Sequence, residues 1–383
     1  MKLIFDERST LDALEHALAS IARAPGIQTL MILGCIANDW PQDRLDPILR
    51  AIEQPVFGGL FPGILFRSRS YRRGLLVVGF RHHADLAIIH PISDATANLT
   101  SELERQTRHW SGTPEISTMA VFIDGMAARI EPFVQDLFFS FGLDNNFVGG
   151  GAGSLDFDHR GCILSPDGLL ADAAICARLP VATSIGVRHG WTPASDPMVV
   201  TESRKNVIYT LDHEAAFPAY RRIVEQHGGA ALTTENFFEQ ARHFPFGIQK
   251  SVADTIIRDP VRIDQDGGLV CVGEVATGST VRIMQGTGAS LISAAREARA
   301  NVDEYMLNTR GSCYLVIDCI SRTLVLGERM DDELATVSQN DLSFGALTLG
   351  EIANMGQEFL EFYNKTIVVA RFDEKLEPYL GQT

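Results

Sequence analysis

Apolar residues recur with two periods along the first half of the chain. Leu11, Leu14, Leu18 and Ile21 share one stripe of a helical wheel, so residues 10–22 predict an amphipathic helix capped by Ser9 or Thr10. Residues 28–34 (QTLMILG) form an apolar run of strand length. Leu45, Ile48, Leu49 and Ile52 predict a second helix over 45–53, with those side chains inward. The stretch VFGGLFPGILF at 56–66 follows, and then a strand at 74–80. The same order returns later. A strand at 118–124 precedes a helix at 130–141, whose Phe133, Leu137, Phe138 and Phe141 are apolar. FVGGGAGSLDF at 147–157 comes next, then a hairpin of 162–164 and 171–179 that turns at Pro166-Asp167-Gly168. Laid over one another without gaps, 56–66 and 147–157 align Gly58-Gly59 with Gly149-Gly150 and Phe66 with Phe157. An internal duplication is the economical explanation.

A joint follows at 198–224. Val199, Val200 and Thr201 are β-branched and suit a strand; Ser203-Arg204-Lys205-Asn206 is a polar turn, and 207–211 resumes the strand. Asp212 stands where a helix N-cap would, ahead of helical spacing over 214–224. Past Gln226-His227-Gly228-Gly229 the order differs. A helix capped by Thr233 or Thr234, strands at 255–261, 269–273 and 280–284, and an Ala-rich helix at 291–301 come first. An apolar strand at 313–318, an acidic helix at 331–338 and strands at 344–348 and 367–371 follow. The expectation is a mixed α+β chain, in the broad α/β class. It has two lobes of mixed sheets flanked by helices, the first lobe an internal duplication, with domains at 1–225 and 226–383 and a ligand held at their boundary.

Composition narrows the function classes. The 383 residues are 45% hydrophobic and 21% charged, which suits about two folded domains and argues against disorder. Lys and Arg number 33 against 48 Asp and Glu, a net charge of −15 that repels phosphate backbones and argues against a nucleic-acid partner. Arg67, Arg69, Arg72, Arg73 and Arg81 cluster in sequence and read as a solvated hairpin rim or an anion site. No apolar run reaches the ~18 residues of a membrane span, and the N-terminus lacks the apolar core of a signal peptide. Six scattered cysteines without a C-x-x-C pair suit reduced thiols and a cytoplasmic location, and no metal site is assigned.

Candidate chemistry concentrates in the second half, where Arg258-Asp259, Cys319 with Arg322, Gly350-Glu351 and Asn364 come in order. Arginine offers a planar fork to a carboxylate, and glutamate accepts from an ammonium, so the set could fix a zwitterion. The alternative is an internal Arg–Glu pair that positions loops. Trp191, in the turn His189-Gly190-Trp191-Thr192-Pro193, either stacks on a ligand or plugs the seam. Gly149 and Gly150 are either a tight strand bend in close packing or a lip over a ligand. GGGAGS leads into a strand-like stretch, so a dinucleotide loop is weakly supported. An enzyme would need Cys319 as nucleophile, but no histidine stands near it in sequence, and no catalytic residue is assigned.

The segments FVGGGAG, GWTP, VVTESRKNVIYTLD, FPFGIQ, IIRDPV, DGGLVCVGEVATGSTVRIMQG, CISR, LTLGEIA and FYNKT occur in that order. With them the chain resembles the FIST family over nearly its whole length, in both the amino-terminal and carboxy-terminal FIST domains. The resemblance implies a small-ligand sensor in signal transduction, with amino acids proposed as ligands and a partner protein as the output. One branch is similar to nitric-oxide-responsive haem proteins acting on histidine kinases, so a haem cofactor is the alternative. Association as a homodimer is a further expectation. There are departures: His213 replaces the usual glycine, Tyr363-Asn364 the usual His-Asn, and CISR the commoner CIGR. His213 then reads either as a partly exposed residue in a helix's first turn or as a ligand contact, even to haem. Cys319 reads as a buried thiol or as a thiolate on haem iron.

Overall fold

The computed structural model describes residues 1–110, 117–142, 145–156, 159–228, 231–250, 255–305, 313–354, 359–374 and 377–378. Phe157 and Gly229 lie outside them. Thr10 caps the first helix, Leu11–Ala22, by accepting from the amide of Ala13 at 3.2 Å. That helix buries Leu11, Leu14, Leu18 and Ile21, the stripe read from the sequence.

One unit is built three times. In the first, strand Lys2–Asp6 and helix Leu11–Ala22 lead to strand Thr29–Cys35, helix Gln42–Arg50 and strand Val56–Phe61. A hairpin of Gly63–Phe66 and Arg69–Tyr71 follows, then strand Leu75–Phe80. The second repeats this as Asp85–Ile89, Leu99–Thr107, Ser117–Asp124, Ile130–Phe141, Asn145–Ala152, the hairpin Ile163–Ser165 with Gly168–Leu170, and Ala174–Leu179. The duplication expected from the glycine pairs extends to a third copy. It runs Thr183–Arg188, Gly288–Tyr305, Cys313–Cys319, Ile320–Leu326 with Met330–Ser338, and Leu342–Thr348, then the hairpin Glu351–Ala353 with Glu361–Tyr363, and Ile367–Phe372. In every unit the middle strand pairs parallel with the strand after its helix and antiparallel with the last strand. The parallel pair requires the intervening crossover helix.

Each unit gives its hairpin to a neighbour. Gly63–Phe66 of the first pairs with Leu342–Thr348 of the third, Ile163–Ser165 of the second with Val56–Phe61 of the first, and Glu351–Ala353 of the third with Asn145–Ala152 of the second. The exchange closes a ring of three sheets. At its centre the parallel strands approach so closely that glycine recurs at one register: Gly58 opposite Ile32, Gly149 opposite Val121, Gly345 opposite Val316. A Cβ at any of the three would overlap the carbonyl oxygen of the residue it faces.

Residues between Thr183–Arg188 and Gly288–Tyr305 of the third unit form a separate barrel. Its strands are Met198–Arg204, Val207–Leu211, Leu269–Val272, Thr255–Ile263, Phe246–Gln249 and Thr280–Gln285, each antiparallel to the next, and the last pairs back with the first. Closure leaves no edge strand to pair with a stranger. Val200, Ile208, Leu269, Phe246 and Ile283 fill the barrel, with Tyr220 of helix Ala216–Gln226. The expected boundary at 225/226 falls at the end of that helix. Asp212 does not cap it. Asp212 and His213 take positive φ (47° and 67°) and turn the chain into the short strand Glu214–Ala215, which pairs back on Thr210 and Leu211. A tight turn of this kind wants positive φ at both central residues, where glycine is cheapest. Helix Ala216–Gln226 then begins without a side-chain cap. Among the described residues, no helix is long and apolar enough to cross a membrane.

Candidate functional site

Strand Thr255–Ile263 forms the barrel wall that faces the ring. Strand alternation sends Arg258 and Asp259 to opposite sides. The buried Arg258 extends under the hairpin strand Glu361–Tyr363. Its Nη1 donates to the carbonyls of Ile257 and Phe362, both at 3.1 Å, and its Nε to that of Glu274 at 3.3 Å. Its Nη2 stands 3.8 Å from Glu131 Oε1, on the first turn of helix Ile130–Phe141. Glu131 Oε1 also accepts from the amide of Glu274 at 2.9 Å. Burial lowers the pKa of Arg258, and the charges of Glu131 and Glu361 oppose that. Above it lies a groove of about 190 Å³, walled by Glu131, Gln135, Lys250, Glu274, Glu361 and Phe362. Lys250 Nζ lies 3.5 Å from Glu361 Oε1. The groove thus mixes cationic and anionic side chains at the seam of ring and barrel.

Asp259 meets Lys365. Their charged atoms are 3.1 Å apart with both side chains buried, and Lys365 Nζ also donates to the carbonyl of Arg242 at 2.8 Å. Burial raises the pKa of Asp259 while Lys365 pulls it back. Trp191 covers this pair. Its ring centroid is 4.9 Å from Lys365 Nζ, and its indole N–H donates to the Lys365 carbonyl at 3.2 Å. Asn364 donates to the Tyr363 carbonyl at 3.0 Å, and its buried Oδ1 meets no donor among the described residues.

Arg322, fully buried, sits between Asp318, 3.0 Å from its Nε, and Glu333, paired with its Nη2. It also donates to the carbonyls of His189 at 2.6 Å and Leu291 at 3.1 Å. Burial raises the pKa values of Asp318 and Glu333, with Glu333 pushing Asp318 further and Arg322 restraining both. Glu351 is also fully buried. It accepts from Thr348 Oγ1 at 2.9 Å and from the Thr366 amide at 3.3 Å, and burial holds its pKa well above the usual carboxyl range. Two buried acids around one guanidinium, with Glu351 beyond them, favour retained protons over full ionisation.

The sequence candidates therefore fall into two groups. Cys319, Glu351 and Asn364 converge with Asp259, Lys365 and Trp191 in a sealed polar cluster, next to the Arg322 triad. Arg258 stands apart in the groove and, among the described residues, shares no partner with Arg322. Gly149 and Gly150 lie at the ring centre, where added Cβ atoms would meet Val121 and, for Gly150, the carbonyl of Gly350. Gly350 takes φ +91° beneath the Phe362 ring, which leaves no room for a side chain. Reading the sequence missed Glu131, Glu274 and Glu361 as neighbours of Arg258. The one signal was a carboxylate, Glu131, in the first turn of a helix rich in phenylalanine.

Burial pushes the Cys319 thiol well up, away from the thiolate that attacks carbon or holds a metal. His213 lies on the exposed turn Asp212–His213 of the barrel and is not among the residues that line the groove. The Cys319 thiol is buried and protonated whereas His213 is exposed, so the two do not share surroundings that would hold one haem, and neither lines the groove over Arg258.

No curated protein matches the chain. Family models do: the FIST N domain over residues 29–214 and the FIST C domain over 216–354. Together they cover most of the ring and all of the barrel strands, so the chain belongs to the FIST family, whose domains are small-ligand sensor modules in signalling.

Proposed function

We propose that this protein senses a small zwitterion, an amino acid or a similar polar metabolite, in the groove over Arg258, and passes its occupancy to a signalling partner such as a histidine kinase. One observation carries the reading: a buried guanidinium lies beneath a groove rimmed by Glu131, Glu274 and Glu361, where two bodies of the fold meet. Backbone carbonyls hold Nε and Nη1 of Arg258, which leaves its Nη2 to donate to a carboxylate, and the glutamates supply acceptors for an ammonium. About 190 Å³ is below the ~300 Å³ at which drug-sized pockets begin, and it suits a guest of amino-acid size. A guest bridging helix Ile130–Phe141 and the barrel would favour one arrangement of the two, which a partner could read.

A thermal-shift screen of the amino acids tests this. A ligand at ~100 times its dissociation constant adds about 2.7 kcal/mol, a rise of several degrees. A screen without a stabilising hit overturns the reading, and an absorption spectrum of the purified protein tests for haem in the same sample.

A further inference from the structure

A helix lying on one sheet needs one apolar stripe, and helix Ile130–Phe141 has more. Ile130, Phe133, Val134 and Leu137 fill its buried stripe. Phe138 and Phe139 extend the apolar surface past the width the sheet covers. Phe139 is 76% exposed, and Phe359, just ahead of strand Glu361–Tyr363, is 69% exposed. Phe138 joins them, with ring centroids 5.1 Å from Phe359 and 6.3 Å from Phe139. Lone exposed apolar residues are ordinary, but a contiguous aromatic cluster marks a binding surface. The patch continues the groove wall, because Glu131, Gln135 and Phe138 share one side of the helix.

Charge around the patch selects the occupant. Asp136 stands one turn below Phe139, and Glu131, Glu274 and Glu361 line the adjoining groove, four carboxylates against Lys250 and Arg258. The whole chain carries −15. A second copy would bring the same acidic rim and the same net charge to the contact, and like charges set face to face cost binding energy. We infer that the Phe138–Phe139–Phe359 patch docks a basic amphipathic helix of a partner protein. Its apolar face covers the three rings, and its lysines or arginines meet Asp136 and the glutamates, the helix-in-groove mode of recognition. This surface goes beyond the ligand reading and needs no ligand in the groove.

The probe is a labelled Leu/Lys amphipathic peptide of about five helical turns, followed by fluorescence anisotropy against the full chain without added metabolite, with a Leu/Glu peptide of the same pattern as control. The Leu/Lys peptide should bind the native chain and the Leu/Glu peptide should not. The double variant Phe139→Ser/Phe359→Ser removes only exposed side chains, so its unfolding curve should match the native one while the Leu/Lys affinity falls about tenfold or more. Asp136→Lys should weaken the same peptide. Equal affinity in the double variant overturns the inference, and so does equal binding of the Leu/Glu peptide. A native dimer in sedimentation that the double variant dissolves also overturns it, by giving the patch to a second copy.

Discussion

Lys365 Nζ lies 3.1 Å from Asp259 Oδ2, and this buried pair ties the barrel to the third unit of the ring. Asp259 belongs to barrel strand Thr255–Ile263, and Lys365 lies two residues before ring strand Ile367–Phe372. Lys365→Met leaves a buried carboxylate without its cation, so it should cost about 3–5 kcal/mol. Lys365→Met with Asp259→Leu removes both charges and should recover most of that loss. Denaturant unfolding of the four proteins in a double-mutant cycle gives the coupling. Additive losses would mean that the pair does not join the two bodies.

Glu351 sets a pH dependence. Burial raises its folded-state pKa well above the ordinary carboxyl range, whereas the unfolded chain releases its proton near ~4.3. Above that value the folded state binds more protons than the unfolded one, so stability falls as pH rises. Glu351's contribution is complete below the unfolded value and is lost as pH passes through the folded one. Glu351→Gln cannot ionise, and its amide can still meet Thr348 and the Thr366 amide. Its stability relative to the native protein should improve steadily as pH rises above about 4. A difference that stays constant with pH would show that Glu351 is ionised in the fold.

The three in-register glycines should behave alike. Gly58→Ala, Gly149→Ala and Gly345→Ala each drive a methyl into the neighbouring strand's carbonyl, and each should cost about 3 kcal/mol. Gly267→Ala is the control: its φ of +80° strains an alanine backbone, but no described neighbour lies within 4 Å, and the cost should be about 1 kcal/mol. Unfolding midpoints rank the four. One ring position that tolerates alanine would mean that its strand pair is not as close as its two counterparts.

Glu131→Gln separates ligand recognition from folding. Glu131 is partly exposed, and glutamine still accepts from the Glu274 amide, so stability without ligand should change by less than about 1 kcal/mol. The thermal shift from a bound amino acid should fall by half or more, because the ammonium loses a charged acceptor. An undiminished shift would place the guest elsewhere on the molecule.

Much of the first two units was legible in the amino-acid order. The stripe Leu11–Leu14–Leu18–Ile21, the apolar runs at 28–34 and 118–124, and the paired glycines are local signals, each completed within a dozen residues or so. The third unit was hidden for a physical reason. Its first strand, Thr183–Arg188, and its helix, Gly288–Tyr305, are separated by the inserted barrel, which breaks any fixed repeat period. Asp212 misled because the same residue suits an N-cap and a left-handed turn, and the pairing of Glu214–Ala215 with Thr210–Leu211 decided for the turn.

The sequence by itself determined the element types, the mixed α+β class, the family, and which charged residues stand among apolar ones. Tertiary structure alone decided how those charges group. Arg258 meets Glu131 across 127 positions, and Arg322 turns inward to Asp318 and Glu333 instead. Hydrophobic periodicity specifies a face and carries no record of what that face will meet. Partners brought together by hairpin exchange and ring closure become visible only once the chain has folded.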